Sequence, residues 1–338
     1  MLRKLLGYAN IFYHWQIRKN TVVPYVPEDI SIELTNTCNF KCSFCPQSDP
    51  NHFNVVTRSM LAPDQADTLL AKLRAGGVQT DVIHWTLDGE PFINKQIDEI
   101  CARAIARGFK HFIFATNGYF VTPERAEKLP GKDQGATYTL AIDFCADPTM
   151  YETHRGTAAS WQRVHDNIRA VLANEGLSHI NIRLTDISSF AVTDARELRR
   201  HFDALTNLFP TSPRLKVTSR VFHNAQGFIP GMLEKKKAQK NKYNLCPYPW
   251  TSLVVASNGD VVTCCRDLEH NTVLGNLFRE DLLPIWNGEQ SMAIRKALAE
   301  QRPQDIKACQ GCDLPYDESK FTPRHLLKTA VNRLGILK

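Results

Sequence analysis

Three cysteines fall within eight residues, Cys38-Asn-Phe-Lys-Cys42-Ser-Phe-Cys45, in a loop short enough to close on one metal centre. A cubane iron-sulfur cluster held by three thiolates leaves one iron open to an outside ligand, whereas structural zinc asks for four protein donors. The missing fourth ligand points to a cluster with an open iron; the alternative is a zinc loop that borrows His52 or another distant donor. A second group lies far along the chain as Cys246, the pair Cys264-Cys265, and Cys309-Gln-Gly-Cys312. Four thiolates brought together there make either a full 4Fe-4S site or a zinc staple, and spacing does not separate the two. Cys101 sits on the apolar face of a helical pattern, where a free cysteine acts as a small hydrophobe.

Positioning these groups requires a scaffold, and the sequence between residues 29 and 220 alternates β-rich runs with helical patterns, as parallel βαβ units do. The expected strands are 30–35, 82–87, 111–115, 138–142, 180–184 and 215–218. Between them lie amphipathic segments such as Ile97, Ile100, Ala104 and Ile105, ending at Gly108, and Val164, Ile168, Val171 and Leu172, ending at Gly176. A closed eight-stranded barrel takes about 250 residues, so this shorter run fits an α/β fold with a partial (β/α)6 barrel. Its reactive groups belong on the loops after the carboxyl ends of the strands. The lysine-rich stretch 234–242 reads as a boundary, followed by a β-hairpin around the turn Ser257-Asn258-Gly259-Asp260. The expected organisation is an N-terminal basic amphipathic segment (1–28), the partial barrel (29–233), a small hairpin and helix domain carrying the second cysteine group (234–316), and a basic tail (317–338).

Composition excludes other classes. The chain is 43% hydrophobic and 22% charged, ordinary for a globular enzyme. Its formal charge of +6 owes much to Glu234, Lys235, Lys236, Lys237, Lys240 and Lys242, five lysines less one glutamate, or +4; a solvated linker explains this without a nucleic-acid partner. No run reaches 18 uninterrupted apolar residues and no signal-peptide pattern opens the sequence, so a cytoplasmic location is expected, where clustered thiols ligate metal more often than they pair. Leu2, Leu5, Leu6, Ala9, Phe12 and Tyr13 form a helical stripe flanked by Arg3, Lys4, Arg18 and Lys19, and residues 326–338 are also basic and amphipathic. Packing on the barrel is the default for both ends, with a peripheral membrane contact as the alternative.

The pattern C-x3-C-x2-C after the first strand, with Phe44 just before its last cysteine, resembles the signature of the radical S-adenosylmethionine superfamily. That resemblance implies that the open iron on Cys38, Cys42 and Cys45 binds the amino and carboxylate groups of S-adenosylmethionine, and that the reduced cluster cleaves it to a 5'-deoxyadenosyl radical. Phe44 is then expected near the adenine. Asp88-Gly89-Glu90-Pro91 resembles the family's GGEP motif, with Asp88 in place of the first glycine; Gly89, Glu90 and Pro91 are expected at the methionyl ammonium, which a carboxylate at position 88 also suits. Thr116-Asn117-Gly118 resembles the family's TNG, placing Asn117 near the cofactor. Asp143, followed by His154-Arg155-Gly156, resembles the carboxylate and Arg-Gly pair that follow the fourth strand. Arg183, Thr185 and Asp186 end the fifth strand, where cofactor or substrate contacts are expected; for Arg183 and Arg220 a surface ion pair is the competing reading.

The C-terminal cysteines, with Asn258-Gly259-Asp260-Val261, Gly275-Asn276 and Trp286, resemble the SPASM/twitch domain of radical enzymes. No cysteine follows Cys312, so the shorter twitch form is implied, with one auxiliary 4Fe-4S cluster on Cys246, Cys264, Cys309 and Cys312. The set looks most like radical dehydrogenases and epimerases of sugars and aminocyclitols. A small-molecule substrate and an external one-electron donor such as flavodoxin or ferredoxin are implied. Dehydrogenation uses the auxiliary cluster as an electron sink, whereas epimerisation needs a thiol hydrogen donor, for which Cys265 and Cys145 are candidates; the competing role for Cys265 is a duplicate ligand. The runner-up functions are modification of a ribosomal peptide and, from another class, a zinc-stapled binding protein.

Overall fold

The computed structural model describes residues 2–156, 160–219 and 243–316. Arg220, the lysine-rich stretch 234–242 and the tail 317–338 lie outside the described residues. Six strands, β1 (Asp29–Ile32), β2 (Val82–Trp85), β3 (His111–Ala115), β4 (Thr137–Phe144), β5 (Ile180–Asp186) and β6 (Leu215–Ser219), run parallel and pair in chain order. Helices α1 (Leu2–Phe12), α2 (His52–Val55), α3 (Pro63–Ala75), α4 (Ile97–Ala106), α5 (Pro123–Glu127), α6 (Pro148–Arg155), α7 (Ser160–Ala173) and α8 (Ala195–Asn207) precede or intervene. The partial six-stranded barrel is thus observed.

Alternation along the strands divides two environments. Ile83 and Trp85, Phe112 and Phe114, Leu140 and Ile142, and Ile182 and Leu184 are buried in one core with Leu69, Leu70 and Leu73 of α3, Ile97 and Ile100 of α4, and Val164 and Ile168 of α7. The intervening His84, Ile113, Ala141, Asp143, Asn181 and Arg183 are half-buried and form the opposite, more polar face. Helix α4 stops where its sequence implies: Gly108 takes φ +85°, and the Phe109 N–H bonds back to the Ala104 carbonyl.

The C-terminal hairpin forms as expected from β7 (Ser252–Val255) and β8 (Asp260–Val262), with β9 (Val273–Asn276) beside it. Its attachment differs from a separate appended unit. Strand β7 pairs parallel with β1, from Asp29↔Ser252 to Ile32↔Val255, so one nine-stranded sheet runs β6-β5-β4-β3-β2-β1-β7-β8-β9. Backbone donors on both edges of β1 need partners, and β7 supplies the second edge.

Nor is the N-terminal segment independent. The Trp250 and Trp286 indole N–H groups donate to the Asn20 and Tyr25 carbonyls at 2.8 Å each. Asn287 accepts from the Val23 N–H and donates to its carbonyl. Arg295, fully buried, donates to the carbonyls of Thr21 and Pro249 at 2.8 Å and lies 4.5 Å over the Trp286 ring. Burial pulls its guanidinium down to about 10, a cost offset by the carbonyls that it satisfies. Residues 20–25 are therefore a strap across the helices Leu282–Trp286 and Glu289–Ala299. Arg295→Ala is expected to cost about 3 kcal/mol in urea denaturation and to expose residues 18–28 to limited proteolysis, while leaving the barrel's cysteine loop intact.

Candidate active site

The first cysteine loop leaves the carboxyl end of β1 and is pinned from three directions. Its turn closes through the Cys45 N–H to the Cys42 carbonyl at 3.0 Å. Lys41 Nζ donates to the Gln47 carbonyl at 2.7 Å. From the end of α6, the His154 carbonyl accepts the Ser43 N–H at 2.9 Å, and Gly156, at φ +71°, lies so close that an added Cβ would stand 2.1 Å from the Lys41 carbonyl oxygen. Cys42 is buried, and Cys38 and Cys45 are half-buried. Burial pushes the Cys38 thiol up to about 12 and raises Cys42 and Cys45 as well. Soft thiol donors in a desolvated loop suit an iron-sulfur cluster, whose iron would displace the protons.

Arg155 is the cation of this site, buried between the Phe40, Phe44 and Tyr151 rings at 5.3, 5.8 and 5.8 Å. Burial alone would lower its pKa, but Cys42, Tyr151 and Asp143 outweigh that and hold it above the ordinary value. Asp143, near the end of β4, lies close enough to the Cys42–Arg155 pair for its charge to act on both.

The strand-end turns meet the loop. Gly89, at φ +67°, lies so near the β1 exit that a Cβ would stand 2.2 Å from the Thr35 carbonyl oxygen; only glycine allows that approach. Glu90, expected at an ammonium, also serves the protein itself. Its fully buried carboxylate accepts from the Thr116 hydroxyl (2.7 Å), the Phe92 N–H (3.1 Å) and the Asn117 N–H (2.6 Å), so it joins the turn after β2 to the turn after β3. Pro91 opens the short helical turn Pro91–Ile93 behind it. Asn117 in turn donates to Asn39 Oδ1 at 2.8 Å and reaches within 3.9 Å of Cys38 Sγ.

Asp88 Oδ2 accepts from Gln47 Nε2 and pairs with His52 Nε2, each at 2.8 Å, while its buried Oδ1 meets no protein donor. His52 Nε2 is therefore engaged by Asp88, while its buried Nδ1 meets no protein partner. Glu33, wholly buried, accepts the Asp88 N–H at 3.1 Å through one oxygen and the Ser257 N–H and hydroxyl at 3.0 and 2.6 Å through the other. Phe44 stacks face to face on Phe190 at 4.3 Å, so one face of the ring expected near adenine is covered by protein. Arg183 lies on the half-buried polar face, and Thr185 and Asp186 are buried, Asp186 accepting the Ser188 N–H and hydroxyl.

The second thiol group converges. Cys246, Cys264, Cys309 and Cys312 line one cavity, together with Tyr248, Arg266 and Leu298. Among the described residues no three His, Cys, Asp or Glu side chains converge on a single metal-ion position; the four thiols surround a space instead. Burial pushes Cys246 up to about 12. Arg266 approaches Cys312 Sγ at 3.9 Å and forms a buried ion pair with Asp313 at 3.2 Å. Cys265 does not line this cavity; it packs against a small apolar cluster of Leu87, Val254, Ala256 and Val262. Cys145, weighed as a hydrogen donor, is fully buried in the main core, its thiol donating to the Asp147 carbonyl at 3.3 Å and pushed up to about 12 by burial. Such an environment is that of a free cysteine packed as a small hydrophobe. Glu33, Gln47 and the Arg266–Asp313 pair were not anticipated; the charged residues next to Cys265 and Cys312 were the one available signal for the last.

Sequence profiles agree with this division. The radical SAM superfamily matches residues 32–190, and the SPASM iron-sulfur cluster-binding domain matches residues 246–313. The chain is 30% identical over 129 residues, 38% of either chain, to a probable GTP 3',8-cyclase of Sulfolobus acidocaldarius, so it spans well under two thirds of that relative. It is 21% identical over 287 residues to the S-adenosyl-L-methionine-dependent 2-deoxy-scyllo-inosamine dehydrogenase of Niallia circulans, over 84% of this chain and 92% of that one. Its fold resembles the crystal structure of BtrN in complex with AdoMet and 2-DOIA, at a TM-score of 0.56 and 20% identity, over 86% and 94% of the two chains.

Because Gly156 lets the backbone of α6 touch Lys41, Gly156→Ala is expected to displace the first cysteine loop. The protein should lose about half of its iron, the part bound through Cys38, Cys42 and Cys45, while the part on the four C-terminal thiols remains. Iron analysis and electron paramagnetic resonance of the reduced protein distinguish this from general unfolding, which removes both.

Proposed function

The chain belongs to the radical S-adenosylmethionine superfamily, with a radical SAM domain followed by an iron-sulfur cluster-binding domain, and from that premise we propose that it dehydrogenates a hydroxyl- or amine-bearing carbon of a small polar substrate such as a sugar or aminocyclitol. Its cofactors are a 4Fe-4S cluster with S-adenosylmethionine and an auxiliary cluster. When bound, they supply a 5'-deoxyadenosyl radical strong enough to take hydrogen from an unactivated carbon, and a one-electron acceptor. Cys38, Cys42 and Cys45 hold the first cluster in this proposal, and Cys246, Cys264, Cys309 and Cys312 hold the second.

The chain's own residues fix where this happens. Glu90 locks two strand-end turns together, Arg155 keeps a positive charge beside Cys42, and the buried Asp88 Oδ1 offers an acceptor to an ammonium. Asp143 and Arg183 occupy the polar strand face, where they are proposed to bind the hydroxyl or amino groups of the substrate. The observation that carries dehydrogenation is the set of four thiols around one cavity, a full ligand complement for a cluster able to take up an electron. The likeness along most of its length to an aminocyclitol dehydrogenase supports the same substrate class.

Epimerisation is the second reading, favoured by the exclusion of Cys265 from the ligand cavity and its packing against the small apolar cluster that includes Leu87, the neighbour of Asp88 in sequence. Anaerobically reconstituted protein is expected to carry about eight irons and the triple variant Cys38→Ala, Cys42→Ala, Cys45→Ala about four, with no 5'-deoxyadenosine formed by the variant under dithionite. Persistent 5'-deoxyadenosine would remove the first-cluster assignment.

In deuterated water, with dithionite replacing a flavodoxin- or ferredoxin-type donor, the product of the normal enzyme is expected to be two hydrogens lighter than the substrate and free of solvent deuterium. A product of unchanged composition carrying one deuterium, lost in Cys265→Ala, would instead establish epimerisation with Cys265 as donor.

A further inference from the structure

Nine large hydrophobic side chains are exposed among the described residues, and five of them, Leu6, Phe12, Tyr13, Ile17 and Val22, lie within one 17-residue stretch. Among the side chains described from residue 6 onward, helix α1 and the turn Tyr13–Ile17 that continues it bury Ile11 and Trp15, which are 8% and 3% exposed. The opposite side carries Leu6, Tyr13 and Ile17 at 62%, 47% and 63% exposure. Seven and eleven residues separate the last two from Leu6, which keeps all three on one helical face. Packing on the barrel, the default for this segment, therefore accounts for half of it.

Charge indicates what the other half meets. Residues 1–27 contain Arg3, Lys4, Arg18 and Lys19 and no aspartate or glutamate. Arg18 and Lys19 are exposed at the end of the apolar face. Glu28, the first acid, directs its carboxylate toward Gly7, on the side of the helix that carries Ile11. A second copy of the chain docked face to face would oppose Arg18 and Lys19 with the same two cations. The tail 317–338, with five Lys or Arg against Asp317 and Glu318, is likewise net basic. A surface that is apolar at depth and anionic at its rim satisfies both halves of the pattern. No helix among the described residues is long and apolar enough to cross a membrane, so the contact lies in the plane of the interface.

We propose that α1 and the turn after it form a peripheral docking face for an anionic lipid bilayer, with Leu6, Tyr13 and Ile17 inserted among the acyl chains and Arg18 and Lys19 at the headgroups. The strap at residues 20–25, fastened by Trp250, Trp286, Asn287 and Arg295, ties this face to the C-terminal domain. The proposal is independent of the reaction catalysed.

Vesicle sedimentation of the full-length, cluster-loaded protein tests it. Vesicles of equimolar phosphatidylcholine and phosphatidylglycerol are expected to bind the protein, and vesicles of phosphatidylcholine alone are not. The pair Leu6→Asp with Ile17→Asp, and separately the pair Arg18→Glu with Lys19→Glu, should each weaken binding about tenfold or more, with iron content and circular dichroism unchanged because all four positions are exposed. Raised salt should weaken the normal protein in the same way. Equal binding to neutral vesicles, indifference to both variant pairs, or a dimer in light scattering that Ile17→Asp splits while vesicles bind nothing would each overturn the proposal.

Discussion

At the end of β1 one carboxylate faces two domains. Glu33 accepts the N–H of Asp88, in the turn after β2, and the N–H and hydroxyl of Ser257, in the hairpin turn between β7 and β8. Ser257 also shares a 2.6 Å hydrogen bond with Ser59, on the segment leading to α3. Burial raises the pKa of Glu33, and its donors oppose that shift; each donor would lose about 1–3 kcal/mol if left buried and unpaired. The turn proposed to hold the methionyl group and the turn that precedes Cys264 therefore cannot shift independently. In this fold one side chain outside both thiol groups ties the turn after β2 to the hairpin turn before Cys264.

A second regularity is electrical. Each thiol group is accompanied by one buried guanidinium, Arg155 beside Cys42 and Arg266 beside Cys312. Thiolate-ligated clusters carry net negative charge, and burying that charge far from water is costly unless a cation is at hand. Arg155 gets its orientation from aromatic rings on three sides, Arg266 from the Asp313 carboxylate. The difference matters chemically: Arg155 feels the Asp143 carboxylate on the polar face, where a substrate would arrive, and that of Glu90 within the turns, whereas Arg266 is paired directly with Asp313.

Much of this was legible in the residues. Strand alternation placed β1 to β6, and the cysteine spacing divided the thiols into three and four, with the second set now seen around one cavity. What local patterns could not carry were contacts between distant segments. Val-Ile-His-Trp announces a strand, but nothing in Ser-Leu-Val-Val says that its partner is β1. Glu90 was read by its charge, but its bonds to Thr116, Asn117 and Phe92, which join two turns, are set by how two loops pack. Cys145 stands two residues from Asp143, and only the end of β4 at Phe144 explains why its thiol turns into the core.

The pairing of β1 with β7 also shapes how the chain reaches this state. Asp29 and Ser252, joined across the two strands, are 223 residues apart. A loop of that length closes late, since non-local pairings fold more slowly than local ones. During synthesis β1 gains its β2 neighbour long before residue 252 exists, and until then its other edge offers unpaired backbone groups to any passing strand. Ile30 and Ile32 make that edge apolar as well. An unfinished barrel of this kind is an aggregation-prone intermediate, so the C-terminal domain acts as the closing half of the barrel's own folding unit, and a truncation before β7 would leave a sheet with its first strand open.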